Sequence, residues 1–259
     1  MKPGVCAVSL LLCVLAFQSC ADISYNAKVP EVTASIIREI PVGTGFDDLL
    51  SEDILTVLGE RNTGKLILLY GDMQEERRIE PYTNITIFDG SIYYKSVYDW
   101  NYRKLDLNDN SFREIEVKEG NDILLPIGGG GYVLYNDGSG DAVENIGGIE
   151  RKFSFAEASF GAISIKASDF VFAGYDGKSV RIVNGKGEKE REYKVGEIRD
   201  YAVAKGGILV LYRDELIYIS DNGKKKSVLK INCDVVSSFG NTAAVYSRTE
   251  GILTLIRLF

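Results

Sequence analysis

Residues 200–231 read DYAVAKGGILVLYRDELIYISDNGKKKSVLKI, in which four short apolar segments alternate with turns. The expected strands are Asp200–Ala204, Ile208–Tyr212, Glu215–Ser220 and Ser227–Ile231. The intervening KGG, RD and DNGKK turns supply the glycine, Asn and Asp chemistry that tight hairpins require. The segment therefore predicts four antiparallel strands joined by short hairpins.

The same pattern recurs along most of the chain, and each copy contains a strand that ends near a tyrosine. These strands, interpreted as the second strand of each copy, are Gly64–Tyr70, Ser91–Tyr98, Gly131–Tyr135, Phe170–Tyr175, Gly207–Tyr212 and Asn241–Tyr246. The marking tyrosines are 28, 37, 40, 37 and 34 residues apart. A period of this length made only of strands is typical of a propeller. The sequence thus predicts an all-β, six-bladed β-propeller of four-stranded antiparallel blades.

The sixth copy is one strand short. It supplies Asp234–Phe239, Thr242–Tyr246 and Ile252–Phe259, and the sequence then stops. An isolated β-prone segment, Val32–Val42 (VTASIIREIPV), precedes the first copy. Pairing Val32–Val42 with Ile252–Phe259 would complete the sixth blade and remove exposed strand edges. We therefore predict a ring closed by the N-terminal strand.

Three alternatives remain open at this stage. The first copy, Phe46–Pro81, is degenerate, so five or seven blades also fit the pattern. Val32–Val42 could instead be a linker strand of a β-sandwich. Phe46–Val57 (FDDLLSEDILTV) has a spacing that also fits two or three helical turns.

The first twenty residues have the features of an export signal. Lys2 is followed by the apolar run Val5–Phe17, which is too short to span a bilayer comfortably. With Ser19 before Cys20, the stretch resembles a bacterial lipoprotein signal, which implies lipidation of Cys20. Cleavage after Ala21 and an uncleaved anchor are the alternatives. We expect a signal at residues 1–20, a polar tether at 21–31 and a single propeller domain at 32–259.

Cysteine, histidine and charge restrict the chemistry of the mature chain. Cys6 and Cys13 lie in the signal, so lipidation of Cys20 would leave Cys233 without a disulfide partner. The chain has no histidine, which excludes His-dependent catalysis and His metal sites. Its formal net charge of −7 opposes binding to a phosphate backbone, so no nucleic-acid partner is expected. The one basic run, residues 224–226, is interpreted as a solvated turn.

Several short motifs point to cofactors or metals only superficially. Gly59–Lys65 fits most of a phosphate loop, but Leu66 replaces the magnesium-binding hydroxyl and a strand follows instead of a helix. The glycine run at 128–131 is interpreted as a hairpin turn. Residues 106–110 and 137–141 lack the glycine and glutamate of a calcium loop. The sequence therefore predicts no cofactor and no metal site.

A positional pattern gives the candidate ligand-binding residues. Polar residues follow the strands interpreted as second strands, and the loops after those strands gather on one face of a propeller. The candidate set is Asp72, Asp99, Trp100, Tyr102, Asp137, Asp176, Asp214 and Arg248. Carboxylates and aromatic rings around a central pocket suit a sugar, a peptide or a cation. The alternative is that Asp makes the turns while Tyr packs between blades.

In repeat length and strand pattern, residues 32–259 resemble bacterial propeller lipoproteins of the six-bladed type. The resemblance implies an exported scaffold, anchored to the membrane at the cell envelope, that binds a protein or a glycan without catalysis. The alternative function is a carboxylate-dependent carbohydrate-active enzyme that uses the axial face. The sequence contains no catalytic pair that would single out an active site.

Overall fold

The computed structural model describes residues 34–116, 122–136, 140–154, 164–168, 171–186 and 188–258. Residues 32–259 form one compact unit. The described parts contain 24 strands in six separate four-stranded antiparallel sheets, arranged as a ring. The predicted six-bladed propeller is therefore confirmed.

Five of the blades each consist of four strands that are consecutive in the chain, and the first of the four is the innermost. Blade one contains β2 (Asp48–Glu52), β3 (Leu55–Glu60), β4 (Lys65–Tyr70) and β5 (Met73–Arg78). Blade two contains β6 (Tyr82–Phe88), β7 (Ser91–Ser96), β8 (Tyr102–Asp106) and β9 (Phe112–Ile115). Blade three contains β10 (Asp122–Ile127), β11 (Gly131–Asn136), β12 (Asp141–Ile146) and β13 (Ile149–Ser154).

The second half of the ring follows the same order. Blade four contains β14 (Ser164–Ser168), β15 (Val171–Tyr175), β16 (Ser179–Asn184) and β17 (Lys189–Lys194). Blade five contains β18 (Asp200–Ala204), β19 (Gly207–Leu211), β20 (Glu215–Ser220) and β21 (Lys225–Lys230). Blade six contains β22 (Val235–Phe239), β23 (Thr242–Ser247), β24 (Ile252–Leu258) and, outermost, β1 (Ala34–Pro41).

The N-terminal strand closes the ring as the sequence predicted. β1 pairs antiparallel with β24, from Ala34 opposite Leu258 to Pro41 opposite Ile252. The register shifts between Ile36 and Arg38, where a bulge places Ile37 out of the ladder. The sandwich alternative for this segment is therefore wrong.

The helical alternative for Phe46–Val57 is also wrong, because this stretch contains β2 and the start of β3, which pair as a hairpin. Its apolar residues alternate with the strand period as they pack between blades, which overrides the helical spacing. In the described parts of the chain, helical structure is confined to a 3₁₀ turn at Gly128–Gly130. That turn joins β10 to β11, where the sequence predicted a hairpin.

The core consists of layers between neighbouring blades. Each described hydrophobic cluster joins two adjacent blades, and together the clusters follow the ring from blade one back to blade six. The layer between blades six and one includes Ile40, Phe46 and Tyr246. Apolar faces that no single sheet could bury are thus buried by stacking sheet on sheet.

Alternating strand direction gives the ring two different faces. The face on which the innermost strands begin and the second strands end is called the upper face. The lower face carries the turns between first and second strands and between third and fourth strands. The two faces define where each candidate residue can act.

Candidate functional site

A central cavity of about 440 Å³ lies among the innermost strands of blades one, two, four, five and six. Its lining includes the hydroxyl and amide residues Ser51, Asn84 and Ser237. Charged residues line its upper part, and we call them the charged ring. The charged ring consists of Asp47, Asp48, Arg61, Lys166, Arg199, Asp200, Asp234 and Arg248. Four acids and four bases therefore surround the upper mouth.

In blade one, the charged ring is held by an arginine that forms two hydrogen bonds with one carboxylate. Arg61 donates from Nε to Asp48 Oδ2 at 2.8 Å and from Nη2 to Asp48 Oδ1 at 2.7 Å. The backbone N–H of Arg61 donates to Asp47 Oδ2 at 3.0 Å. The hydrogen bond to Asp48 raises the pKa of the Arg61 guanidinium. This planar pairing fixes both side chains, since two parallel bonds restrict rotation.

Blade six repeats the same turn and extends it across the ring closure. The backbone N–H of Arg248 donates to Asp234 Oδ2 at 2.8 Å, as that of Arg61 does to Asp47. The Arg248 guanidinium donates to the carbonyl oxygens of Phe46 at 3.2 Å and Asp47 at 3.1 Å. Arg248 thereby connects blade six to blade one at the upper mouth.

Lys166 reaches from blade four to blade five. Its ammonium lies 2.6 Å from Asp200 Oδ1, donates to the Tyr201 carbonyl oxygen at 2.7 Å and stands 5.1 Å from the centre of the Tyr201 ring. Asp200 Oδ2 accepts the N–H of Val236 at 2.9 Å, which extends the connection to blade six. Charge-assisted bonds between blades make this side of the cavity rigid.

Arg199 completes the connection between blades five and six. Its Nη1 donates to Asn232 Oδ1 at 2.8 Å and to the Cys233 carbonyl oxygen at 2.7 Å, and lies 3.7 Å from Asp234 Oδ1. Acids and bases of the charged ring are thus paired with one another or with backbone groups. The mouth is electrically balanced and offers alternating donors and acceptors to a ligand.

Three of the predicted aspartates lie in the upper-face turns after second strands. Asp99 follows β7, Asp176 follows β15 and Asp214 follows β19. Asp99 accepts bonds from Arg103 Nη2 at 2.6 Å and from the Asn101 N–H at 3.1 Å, and the bond from Arg103 lowers its pKa. The Asp99 carboxylate therefore shapes its own turn.

Asp176 accepts backbone N–H bonds from Lys178 at 2.9 Å and from Ser179 at 2.7 Å. These bonds favour the ionised form and lower the pKa of Asp176. A carboxylate that stays ionised near neutral pH cannot serve as a general acid. The geometry of Asp99 and Asp176 therefore fits turn formation better than acid catalysis.

The two predicted aromatic residues have different environments. Trp100 lies in the β7–β8 turn with a positive φ of 64° and is 52% exposed. Tyr102 is fully buried in the layer between blades two and three, where its hydroxyl accepts the Leu124 N–H at 3.0 Å. The structure corrects the sequence interpretation of Tyr102, which is a packing residue and not part of the upper surface.

Asp72 lies on the lower face, in the turn between β4 and β5. Because β2 is the innermost strand of blade one, residues 65–70 form the third strand of that blade and not the second. The Asp72 carboxylate pairs with Arg38 at 2.5 Å, and the Asp72 side chain is almost fully exposed. The residue that follows the second strand of blade one is Arg61, so the tyrosine pattern misaligned this copy.

Of the predicted ligand-binding residues that the structure describes, Arg248 is the one that lines the central cavity. Asp137 and the lipidation candidate Cys20 lie outside the described residues. The other members of the charged ring were missed. For three of them, Asp47, Asp200 and Asp234, the sequence signal is an acid just before or at the start of an innermost strand, which aligning the copies on their innermost strands would have revealed.

The described residues contain no group of three or more His, Cys, Asp or Glu side chains placed to hold a metal ion. Within the same residues, no helix has the length and hydrophobicity needed to cross a bilayer.

Comparison with known proteins gives likeness in structure but not in sequence. No protein-family model matches the chain, and no curated protein sequence matches it. A protein of unknown function from Bacteroides thetaiotaomicron aligns with TM-score 0.58 and 7% identity over 88% of this chain and 76% of that one. Virginiamycin B lyase from Staphylococcus aureus aligns with TM-score 0.53 and 13% identity over 82% and 80%.

The Pan2 WD40 domain of Neurospora crassa aligns with TM-score 0.52 and 8% identity, over 86% of this chain and 95% of that domain. A lyase and a WD40 domain are thus similarly close to this chain. Likeness at such low identity shows the fold alone, because one propeller architecture carries unrelated activities. The comparisons therefore place the chain among the β-propellers.

Proposed function

We propose that this chain is an exported lipoprotein of the bacterial cell envelope whose propeller binds a protein or glycan partner without catalysis. The lipid would be attached at Cys20, and residues 21–31 would form the tether. The partner would bind at the upper mouth of the central cavity. The charged ring, and not the single Asp turns, would then supply the contacts to the partner.

The charged ring is the observation that carries the binding role. Its side chains are fixed by bonds such as Asp48–Arg61 and Lys166–Asp200, so few of them need ordering when a ligand binds. Equal numbers of acids and bases favour a ligand with closely spaced donors and acceptors over a simple ion. Peptide amides and sugar hydroxyls both have that character.

Binding can be tested with arginine variants of the full chain. We expect Arg61→Ala and Arg248→Ala each to weaken capture of the partner from envelope extracts, because both side chains line the cavity. Arg213→Ala is the matched control, since Arg213 follows the second strand of blade five and is exposed but does not line the cavity. Equal loss in all three variants would contradict a site at the mouth.

Catalysis is tested separately by incubating the wild-type chain with a glycan library. The binding proposal expects retention of a glycan or a protein with no change in its covalent structure. Turnover that Asp176→Asn abolishes would replace the binding role by the carbohydrate-active alternative. Turnover that persists in this variant but is lost in Asp48→Asn would place an enzyme at the charged ring.

Lipidation is tested by Cys20→Ala. The variant should leave the membrane fraction, whereas the wild-type chain should remain in it. Continued membrane association of the variant would show an uncleaved anchor or another attachment. Export followed by release of both chains would instead favour conventional cleavage.

A further inference from the structure

Exposed apolar side chains are concentrated on the lower face. Seven of the nine large hydrophobic residues that are exposed in the described parts of the chain lie there. We call these seven the lower-face band. The band consists of Ile36 and Ile37 of blade six, Ile54 and Met73 of blade one, Phe112 of blade two, and Ile146 and Ile149 of blade three.

Strand direction places these residues on one side of the ring. Ile54 lies in the turn between first and second strands, while Met73, Phe112 and Ile149 begin fourth strands. Ile36 and Ile37 lie in the lower half of β1, which is also a fourth strand. The remaining two exposed residues, Tyr98 and Trp100, belong to an upper-face turn.

Within the described residues, the band covers four successive blades, from blade six through blades one and two to blade three. In blade five the turn between third and fourth strands is Asp221–Lys224, and in blade four the described part of that turn contains Lys186 and Glu188. Exposed charged residues, including Asp53 and Asp72 of blade one, also lie on the lower face beside the band. Scattered single apolar residues are ordinary on a protein surface, but a concentration of most of them on one face is not.

We propose that the lower-face band seats the propeller on a lipid surface, so that the upper mouth of the central cavity faces away from the membrane. The inference rests on the proposed lipidation of Cys20. The band includes β1, the strand directly after the tether, and Cys20 precedes Ala34 by fourteen residues. A chain of that length spans at most about 50 Å, so an anchored lipid keeps the propeller close to the bilayer.

The tether alone would not orient the propeller, because a flexible link of this length permits many orientations. The band can supply the orientation. Once the domain is tethered, the effective lipid concentration is high, and a surface with weak affinity of its own is sufficient. Five of the seven side chains lie in or beside separate turns, which suits insertion among lipid headgroups. A protein partner usually recognises a well-packed central pocket instead.

Orientation can be measured with a dye at one of two equally exposed positions. Met73 in the band and Tyr98 on the upper face are each 70% exposed. The full chains carrying Met73→Cys or Tyr98→Cys are labelled with a thiol-reactive fluorophore, while Cys233 stays buried. The wild-type chain treated in parallel gives the background. Phosphatidylcholine vesicles containing brominated lipid then quench a membrane-seated dye, and aqueous iodide quenches an exposed one.

We expect brominated lipid to quench the Met73 dye severalfold more than the Tyr98 dye, with iodide showing the reverse order. Adding Ile54→Ser and Ile149→Ser to the Met73→Cys chain should reduce lipid quenching, and unchanged thermal unfolding would verify that this chain folds. Equal lipid quenching at both positions would overturn the proposal. Protection of Met73 from both quenchers would also overturn it, since a protein surface would then cover the band.

Failure of lipidation gives a different result from failure of seating. If the labelled chain does not float with the vesicles, lipidation has failed, and the chain is attached to them instead through an N-terminal His tag and a nickel-chelating lipid. A Met73 dye that remains unquenched on the attached chain overturns the seating independently. A chain that floats while Met73 remains accessible to iodide retains the anchor but refutes the seating.

Discussion

Blades five and six have the same four-stranded architecture but different origins in the chain. Blade five uses consecutive residues from Asp200 to Lys230, whereas blade six joins β22, β23 and β24 to β1 from the other end of the described chain. Blade five can therefore form from local hairpins. Blade six and the ring close only when residues more than 200 positions apart meet, so closure depends on long-range contacts.

The largest expected effect is on closure itself. Deleting residues 34–41 removes β1, exposes the edge of β24 and takes Ile40 out of the layer between blades six and one. It also displaces the Val42 and Gly43 amides that donate to the Gly251 carbonyl oxygen. We expect a loss comparable with the whole stability of a domain, about 5–15 kcal/mol, measured by thermal and denaturant unfolding.

Cys233 supplies a second measurement of this opening. Burial raises the pKa of its thiol from an ordinary 9.0 to about 12, so the folded chain keeps the unreactive thiol at pH 8. A raised folded pKa adds stability below pH 9, and this contribution is lost as pH rises from 9 towards 12. In the chain that lacks residues 34–41, Cys233 should therefore be alkylated rapidly at pH 8. Slow alkylation matching that of a chain lacking only residues 22–31 would contradict closure by β1.

A smaller effect is expected from two glycines with positive φ. Gly251, in the closing turn of blade six, has a φ of +67°, and a Cβ there would lie 2.8 Å from the Gly43 carbonyl carbon. Gly223 in blade five has a φ of +78° and open space around the same point. Gly223→Ala should cost about 1–2 kcal/mol from backbone strain alone.

Gly251→Ala should cost about 1–3 kcal/mol more, because the added methyl group must displace the segment after β1. Denaturant midpoints at constant slope measure the difference. Equal costs would show that the approach of Gly251 to Gly43 is not a tight part of the closure.

Two buried tyrosines each donate a hydrogen bond from the hydroxyl group, one between neighbouring blades and one at the closure of the ring. The Tyr201 hydroxyl donates to the Ala173 carbonyl oxygen of blade four at 2.6 Å, and the Tyr246 hydroxyl donates to that of Gly43 at 2.8 Å. Ala173 is buried, while Gly43 is exposed. Tyr201→Phe should cost about 1–3 kcal/mol and Tyr246→Phe about 1 kcal/mol or less, since water can reach Gly43. A larger loss of thermal stability in Tyr246→Phe than in Tyr201→Phe would refute this account.

The smallest expected effect concerns the ion pair between β1 and the lower turn of blade one. Arg38 and Asp72 are both exposed, with 42% and 97% of their side-chain surface accessible, so Arg38→Ala should change stability by only about 0–1 kcal/mol. The same loss should result from Asp72→Asn and should shrink at high salt. Partner capture should be unaffected by either variant, because both residues lie outside the cavity lining. A large loss of capture would return Asp72 to the candidate site.

The repeat pattern was sufficient to predict the blades, because strand alternation and turn residues are local properties. The missing strand of the last copy even predicted closure by residues 32–42. The same pattern failed for Asp72, since a tyrosine at the end of a third strand looked like one at the end of a second. Tyr102 was misjudged because its burial depends on blade three, which contacts it only after the blades stack.

The sequence by itself determined the repeat of strands and turns, since this depends on residues a few positions apart, and it favoured six blades over five or seven. Only the tertiary structure decided which charges share the central cavity. Asp47, Lys166, Asp200 and Arg248 come from four blades, and ring closure brings them to one mouth. The tertiary structure likewise collected Ile37, Met73, Phe112 and Ile149 on one face, because the face of a turn follows from its place within a closed blade.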